Sequence, residues 1–375
     1  MLKSTLAIGY SLAKLEPTRL LVPTEISMSH GPLMLDLQGV ELTGEERELL
    51  RHPAAGGVIL FRRNFETPDQ LQRLVSEIHA LREPQLLVAV DQEGGKVQRF
   101  CEGFTRLPPA AWFGRLYDAN PRYALQAAQS VGWLMASELL AEGVDFSFAP
   151  VLDLGTGVSE VIGDRAFHQK PFVVAELAMG WTRGVHAAGM ASVGKHFPGH
   201  GNVTEDSHLA LPVDRRRREE ILMDDLLPFR RLIEGGIEAI MPAHVVYEKV
   251  SPEPAGFSSY WLKRVLRGRL GFQGVVFSDD LSMAAAEEAG NVVARAAAAL
   301  EAGCDMVLVC NDQKSAATVM DELKMYSEPA AQMRLIRMHG RKKLKREKLH
   351  LDKRWKSAVE LIARYDDNPV LELDL

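Results

Sequence analysis

Met190-Ala191-Ser192-Val193-Gly194-Lys195-His196-Phe197-Pro198-Gly199-His200-Gly201 runs from apolar residues straight into ionisable ones. Its first half reads as a strand, and Pro198 with the glycines opens it into a loop. Asp206-Ser207-His208 follows at once. Ionisable groups are costly at the end of a buried strand unless they bind or react with something. Gly274-Val275-Val276-Phe277-Ser278-Asp279-Asp280 has the same grammar, an apolar strand and then carboxylates.

Working outward, the same kind of short apolar run recurs. Leu33 to Asp36, Gly57 to Phe61, Leu86 to Asp91 and Phe146 to Val151 precede the opening stretch. Ala239 to His244, Gly274 to Asp279 and Asp305 to Cys310 follow it. Near-continuous apolar character, without alternation, is what strands buried on both faces require. Helical patterns lie between them. Thr67-Pro68-Asp69 is a capped start, and Leu71, Leu74, Val75, Ile78 and Leu81 keep helical spacing. Ala124 to Ala141, Ala175 to Ala188 and Asp225 to Ile233 read likewise, ending at or near glycines.

Eight strands alternating with helices predict an α/β fold, a (β/α)8 TIM-type barrel in a single catalytic domain. The alternative, an open doubly wound sheet, calls for a Gly-x-Gly-x-x-Gly turn after the first strand, and the sequence has none there. Asp91, Lys195, His196, His244, Asp279, Asp280, Asn311 and Asp312 all fall at C-terminal strand ends, the rim that carries chemistry in barrels. Taken singly, any of these could merely cap a loop. Residues 28–340 are read as the barrel, 341–375 as a charged segment packing on it, and 1–27 as an extension outside the fold.

Bulk properties narrow the function. The 375 residues, 46% of them hydrophobic, can bury a large core. The net charge of −6 gives no reason to expect a nucleic-acid partner. The basic clusters Arg215–Arg218 and Arg341–Lys348 read as solvated helix faces. Three cysteines without a Cys-x-x-Cys pair suit a reducing compartment and no structural zinc. No apolar run approaches the ~20 residues of a membrane span. Leu6 to Ala13 only faintly imitates an export signal, because Lys14 and Glu16 interrupt it. A cytoplasmic protein is expected.

The residue types allow several chemistries. A rigid carboxylate such as Asp279 can be a nucleophile, a base or a metal ligand. Side chains of adjacent strand residues point to opposite sides, so one of Asp279 and Asp280 faces the site, and parity alone does not choose. Asp206 and His208 lie close enough in a loop for the carboxylate to orient the imidazole, a pair able to donate a proton and later take one back. Helix capping is the plain alternative for Asp206. Metal binding by His196, His200, Asp206 and His208 competes, but the spacing matches no usual zinc pattern. Lys195 could form a Schiff base. Asp91, Lys96, Arg99 and Arg165 offer donors and acceptors for sugar hydroxyls, and would equally suit phosphate.

These motifs together resemble glycoside hydrolase family 3, in its bacterial β-N-acetylglucosaminidase branch of peptidoglycan recycling. The resemblance is carried, in chain order, by Val90 to Gly95, Gly163 to Phe167, Lys195 to Gly201 with Asp206-Ser207-His208, Met241 to His244 and Phe277 to Met283. It implies Asp279 as nucleophile, His208 as general acid/base with Asp206 as its partner, and Asp91, Arg99, Arg165, Lys195 and His196 as residues holding the non-reducing sugar. It implies retention of anomeric configuration, no metal, no cofactor, and a muropeptide or amino-sugar substrate. Retaining glycosidases ordinarily place two carboxyl groups ~5 Å apart; here an imidazole on a loop would replace one. A glycoside phosphorylase and a non-catalytic sugar-binding barrel remain the competing readings.

Overall fold

Eight apolar runs form eight parallel strands: β1 Leu33–Leu35, β2 Ala55–Leu60, β3 Leu87–Val90, β4 Phe146–Ser147, β5 Ala191–Phe197, β6 Ala239–Pro242, β7 Val275–Asp280 and β8 Met306–Val309. They close into a barrel in chain order, with β1 pairing β8 through Leu33 and Val307. The computed structural model describes residues 30–366 apart from Asp206, His208, Leu209, Lys324, Lys342 and Lys343. The expected extension over residues 1–27 therefore lies outside the described residues.

A helix follows each strand: α1 Gly44–Arg51, α2 Pro68–Ala80, α3 Pro121–Ala141, α4 Pro171–Ala188, α5 Leu226–Glu234, α6 Tyr260–Arg269, α7 Val292–Ala302 and α8 Gln313–Leu323. The Thr67 hydroxyl accepts the Gln70 N–H at 3.2 Å, so α2 starts where its proline predicts. α3 and α4 begin three and four residues before the first strong helix formers, because Pro121 and Pro171 are preorganised for a first turn. These two helices pack closely through glycine. A Cβ on Gly184 would sit 2.0 Å from the Gln129 carbonyl oxygen, and one on Gly132 2.4 Å from that of Trp181.

Inside the barrel, Phe146, Phe148 and Phe277 meet pairwise at 5.2–5.4 Å and fill the axis. All three are fully buried, so the barrel is a packed core with a closed floor. At the end away from the site, carboxylates recur with the two-strand period. Asp145, Glu238 and Asp305 each stand immediately before an even-numbered strand. Each accepts a backbone N–H of the preceding odd strand: Val88 at 2.8 Å, Ser192 at 3.1 Å and Val276 at 2.8 Å. Each is also paired with cationic or imidazole side chains: His79 and His339, His186, and Arg267 and Arg334 respectively. This ring tethers neighbouring strands where no substrate could reach.

The basic clusters are not the bare solvated helix faces expected. Arg216 lies in a loop before the short helix Arg218–Glu220 and is clamped between two buried carboxylates, Asp214 and Asp225. Arg346 reaches Asp69 and Glu142. The helix Lys353–Asp366 lies on α3, where the Trp355 Nε1–H donates to Glu138 Oε1 at 2.9 Å and Arg354 covers Trp133. Among the described residues no helix is long and apolar enough to cross a membrane.

Candidate active site

A cavity of about 220 Å³ opens at the C-terminal ends of the strands. Asp91, Arg99, Arg165, Lys195, His196 and Asp279 all line it, so the fold gathers these predicted residues at one mouth. Asp206 and His208 lie outside the described residues. Ser207, between them in sequence, lines the same cavity, and its carbonyl accepts the Ala285 N–H at 3.1 Å on the loop after β7.

One wall is an ion network. Lys195 Nζ lies 2.7 Å from Asp91 Oδ1 and 2.7 Å from Glu93 Oε1. Arg165 grips Glu93 with two bonds of 2.8 Å, the bidentate geometry that suits guanidinium and carboxylate. Arg99 stands 3.6 Å from Asp91 and over the Phe61 ring. Burial opposes charge on Glu93, yet Arg165 and Lys195 hold it well below the usual carboxylate range. Burial likewise works against the Lys195 ammonium, but Asp91 and then Glu93 raise its pKa. A lysine kept protonated in this way is a poor Schiff-base nucleophile, which disfavours the imine reading.

β5 breaks strand alternation at its exit. Its register against β6 shifts between Lys195 and Phe197, and the consecutive residues Lys195 and His196 both line the cavity. The peptide bonds Lys195–His196 and Phe197–Pro198 are cis. His196 Nδ1 lies 2.7 Å from Asp153 Oδ2, leaving Nε2 for the cavity. Asp153 is fully buried and also accepts the backbone N–H of His196 at 3.2 Å and of His200 at 2.7 Å. One carboxylate thus orients an imidazole and fixes the start of the loop. The His200 ring lines the cavity with both nitrogens buried and unpaired, and burial lowers its pKa, so the ring is neutral.

The opposite wall is β7. The Asp280 carboxylate accepts from the Ser282 N–H at 3.0 Å, the Ser282 hydroxyl at 2.7 Å and the Cys310 N–H at 3.1 Å. It locks the turn and joins β7 to β8. Asp279 accepts the Asp280 N–H at 2.8 Å and, among the described residues, keeps its other lone pairs for the cavity. Both aspartates line the cavity, contrary to the expectation that only one would, but their bonding differs: Asp280 is committed to Ser282 and the Cys310 N–H, whereas Asp279 is left available. Burial would raise the Asp279 pKa, but His244, His196, the Asp280 N–H and Lys195 together bring it below the ordinary value. His244 is stacked on Phe257 and lies 3.1 Å from the Asp280 carbonyl, with burial lowering its pKa.

Asn311 lines the cavity, whereas Asp312 caps α8 by accepting the Ser315 N–H at 3.0 Å. For Asp312 the plain capping role holds. Glu93 and Asp153 were not singled out by the sequence reading, and His200 was weighed only as a metal ligand. Asp153 sits just past the fourth strand, the position that flagged the others. Among the described residues no three His, Cys, Asp or Glu side chains converge on a point suited to a metal ion.

Comparison with known proteins gives a consistent result. The model of the glycosyl hydrolase family 3 N terminal domain matches residues 30–338. The β-hexosaminidase of Thioalkalivibrio sulfidiphilus is 62% identical over 348 residues, 93% of this chain and 100% of that protein. The β-hexosaminidase of Alkalilimnicola ehrlichii is 56% identical over 92% of this chain and 99% of its own length. Among solved structures, NagZ from Neisseria gonorrhoeae in complex with N-trifluoroacetyl-D-glucosamine superposes with a TM-score of 0.85 at 46% identity, covering 90% of this chain and 98% of that one. The β-N-acetylhexosaminidase of Beutenbergia cavernae gives 0.73 at 30% identity, covering 81% and 95%.

Proposed function

This chain belongs to glycosyl hydrolase family 3 and is a β-hexosaminidase-type glycosidase; on that premise we propose that it removes non-reducing terminal N-acetylglucosamine with retention of configuration. Its substrate is a muropeptide ending in anhydro-N-acetylmuramic acid, and it works in the cytoplasm, recycling cell-wall fragments. The observation that carries the reading is Asp279: a half-buried carboxylate, held below the ordinary pKa by its surroundings and bonded only to the next N–H among the described residues, on a sugar-sized cavity lined by fixed donors.

In this mechanism Asp279 attacks the anomeric carbon as the glycosidic bond breaks. His208, oriented by Asp206, gives its proton to the departing oxygen. The resulting glycosyl ester on Asp279 is then cleaved by water, whose proton returns to His208. Lys195, Arg165 and Arg99 donate to sugar hydroxyls, while Asp91 accepts from them, and His196 presents its Nε2. Because Glu93 and Asp153 hold Lys195, Arg165 and His196 before substrate arrives, little ordering remains to be done on binding. The N-acetylglucosamine preference is supported by the relatives named above, and the muropeptide by the Lys195–His208 motif.

The test is trapping with a mechanism-based fluoroglycoside of N-acetylglucosamine, followed by mapping of the labelled peptide. Label on the peptide bearing Asp279 is expected. Label elsewhere overturns the assignment. Product analysis in phosphate buffer separates the phosphorylase alternative: free sugar is expected, whereas sugar 1-phosphate would replace hydrolysis by phosphorolysis.

A further inference from the structure

The segment that carries Asp206 and His208 leaves the barrel at Gly199, and the next strand, Val213–Asp214, belongs to a three-stranded sheet separate from the barrel. Both ends meet the same small group of buried side chains. On the leaving side, the Tyr247 hydroxyl donates to the Gly199 carbonyl at 2.7 Å. Gly199 has φ of 147°, and a Cβ there would lie 2.6 Å from Asp225 Oδ1, so it rests directly on that carboxylate. On the returning side, Val213–Asp214 pairs in parallel with Val246–Tyr247. Tyr247 therefore touches both ends, one with its backbone and one with its ring oxygen.

Arg216 ties these ends together. Its Nε lies 3.1 and 3.0 Å from the Asp214 oxygens, and its Nη2 lies 2.7 Å from Asp214 Oδ2. Its Nη1 and Nη2 reach Asp225 at 2.8 and 3.1 Å. Asp214 and Asp225 are 2% and 1% exposed. Two carboxylates this deeply buried need a shared cation, and a planar guanidinium with a fork of donors can serve both at once. Burial, despite Arg216, pushes the Asp225 pKa up to about 6, which shows how closely the cluster is balanced. Behind the loop, Asn202 to Glu205 face Val213 to Arg216 across an open depression of about 430 Å³. The clamp is thus a main restraint on where the loop stands.

We propose that Arg216 is a positioning residue for proton transfer: by joining Asp214 to Asp225 it fixes the separation of the loop's two ends and so the placement of the His208 imidazole. This rests on the acid/base role proposed for His208. Arg216 does not touch the sugar cavity. Its loss therefore acts on the step that needs a proton and spares the binding of the sugar.

The experiment compares Arg216→Lys, Arg216→Gln and His208→Ala on two N-acetyl-β-glucosaminides, a dinitrophenyl glycoside that leaves without protonation and a phenyl glycoside that requires it. Lysine keeps the charge but cannot bridge both carboxylates, so Arg216→Lys keeps the proposal testable if the glutamine variant does not fold. For Arg216→Lys, kcat/KM on the phenyl substrate is expected to fall about 10- to 100-fold, the usual cost of an ångström of misplacement, with less than about a twofold change on the dinitrophenyl substrate. Azide, which attacks without a base, should restore the deglycosylation rate. Equal loss on both substrates would mark a merely structural residue, and no loss on either would remove Arg216 from the reaction; both overturn the proposal. If His208→Ala itself shows no dependence on leaving group, the acid/base reading fails and the proposal falls with it. If His208→Ala shows it and Arg216→Lys does not, only the proposal fails.

Discussion

Lys195 and Glu93 meet at 2.7 Å, their side chains both buried, in one wall of a cavity otherwise built for hydroxyl groups. Lys195 also holds Asp91, and Glu93 also holds Arg165, so the pair is the centre of a chain of alternating charges. Such a chain is already folded into the shape of its ligand.

Replacing Lys195 by methionine leaves Asp91 and Glu93 with one cation fewer. Breaking a buried pair in this way typically costs about 3–5 kcal/mol. Urea unfolding should show that loss, and the double variant Lys195→Met with Glu93→Gln should recover a large part of it. Activity should not return with stability, because neither replacement restores the ammonium. Recovery of both together would mean that the network serves folding alone.

The ionisation of Asp279 sets a pH expectation. Its carboxyl is held below the ordinary aspartate value, so it remains a carboxylate throughout mildly acid conditions. On a dinitrophenyl glycoside, which needs no acid for departure, kcat/KM should stay level as pH falls from about 8 to about 5. A decline centred near pH 6 on this substrate would show that Asp279 is not the group attacking.

At the other end of the barrel, Glu238 is held below its ordinary pKa: burial works against the charge, but His186 and the Ser192 N–H outweigh it. A depressed carboxylate stabilises the folded state above its unfolded pKa, and that contribution disappears as pH falls through the folded value. Glu238→Gln should therefore cost about 1–3 kcal/mol near neutrality, and the gap to the parent should close towards pH 3. Thermal unfolding at several pH values measures it. A gap that widens in acid would reverse the sign and refute the assignment.

How much of this was legible beforehand follows from what each residue needs. The barrel strands were readable because burial on both faces leaves an unbroken apolar run. α1 was not, since its sequence GEERELLR buries only Glu46 and Leu50; its signal was the capping box of Thr43 and Glu46. α6 escaped for a related reason, its wide turns breaking the usual spacing. Among site residues, those at strand ends could be found from position. Glu93 and Asp153 could not be assigned so readily, because their roles exist only with partners 102 and 43 residues away, Lys195 and His196. Arg216 looked like one of a run of surface arginines, and only the fold reveals the two acids that claim it.

The three phenylalanines packed across the barrel axis have a kinetic consequence. Phe148 forms part of the cavity lining, and Phe146 and Phe277 pack against it. There is thus no back door. A released monosaccharide must depart by the opening through which the next chain end arrives. Turnover is a single-file queue, and accumulated product should compete directly with incoming substrate.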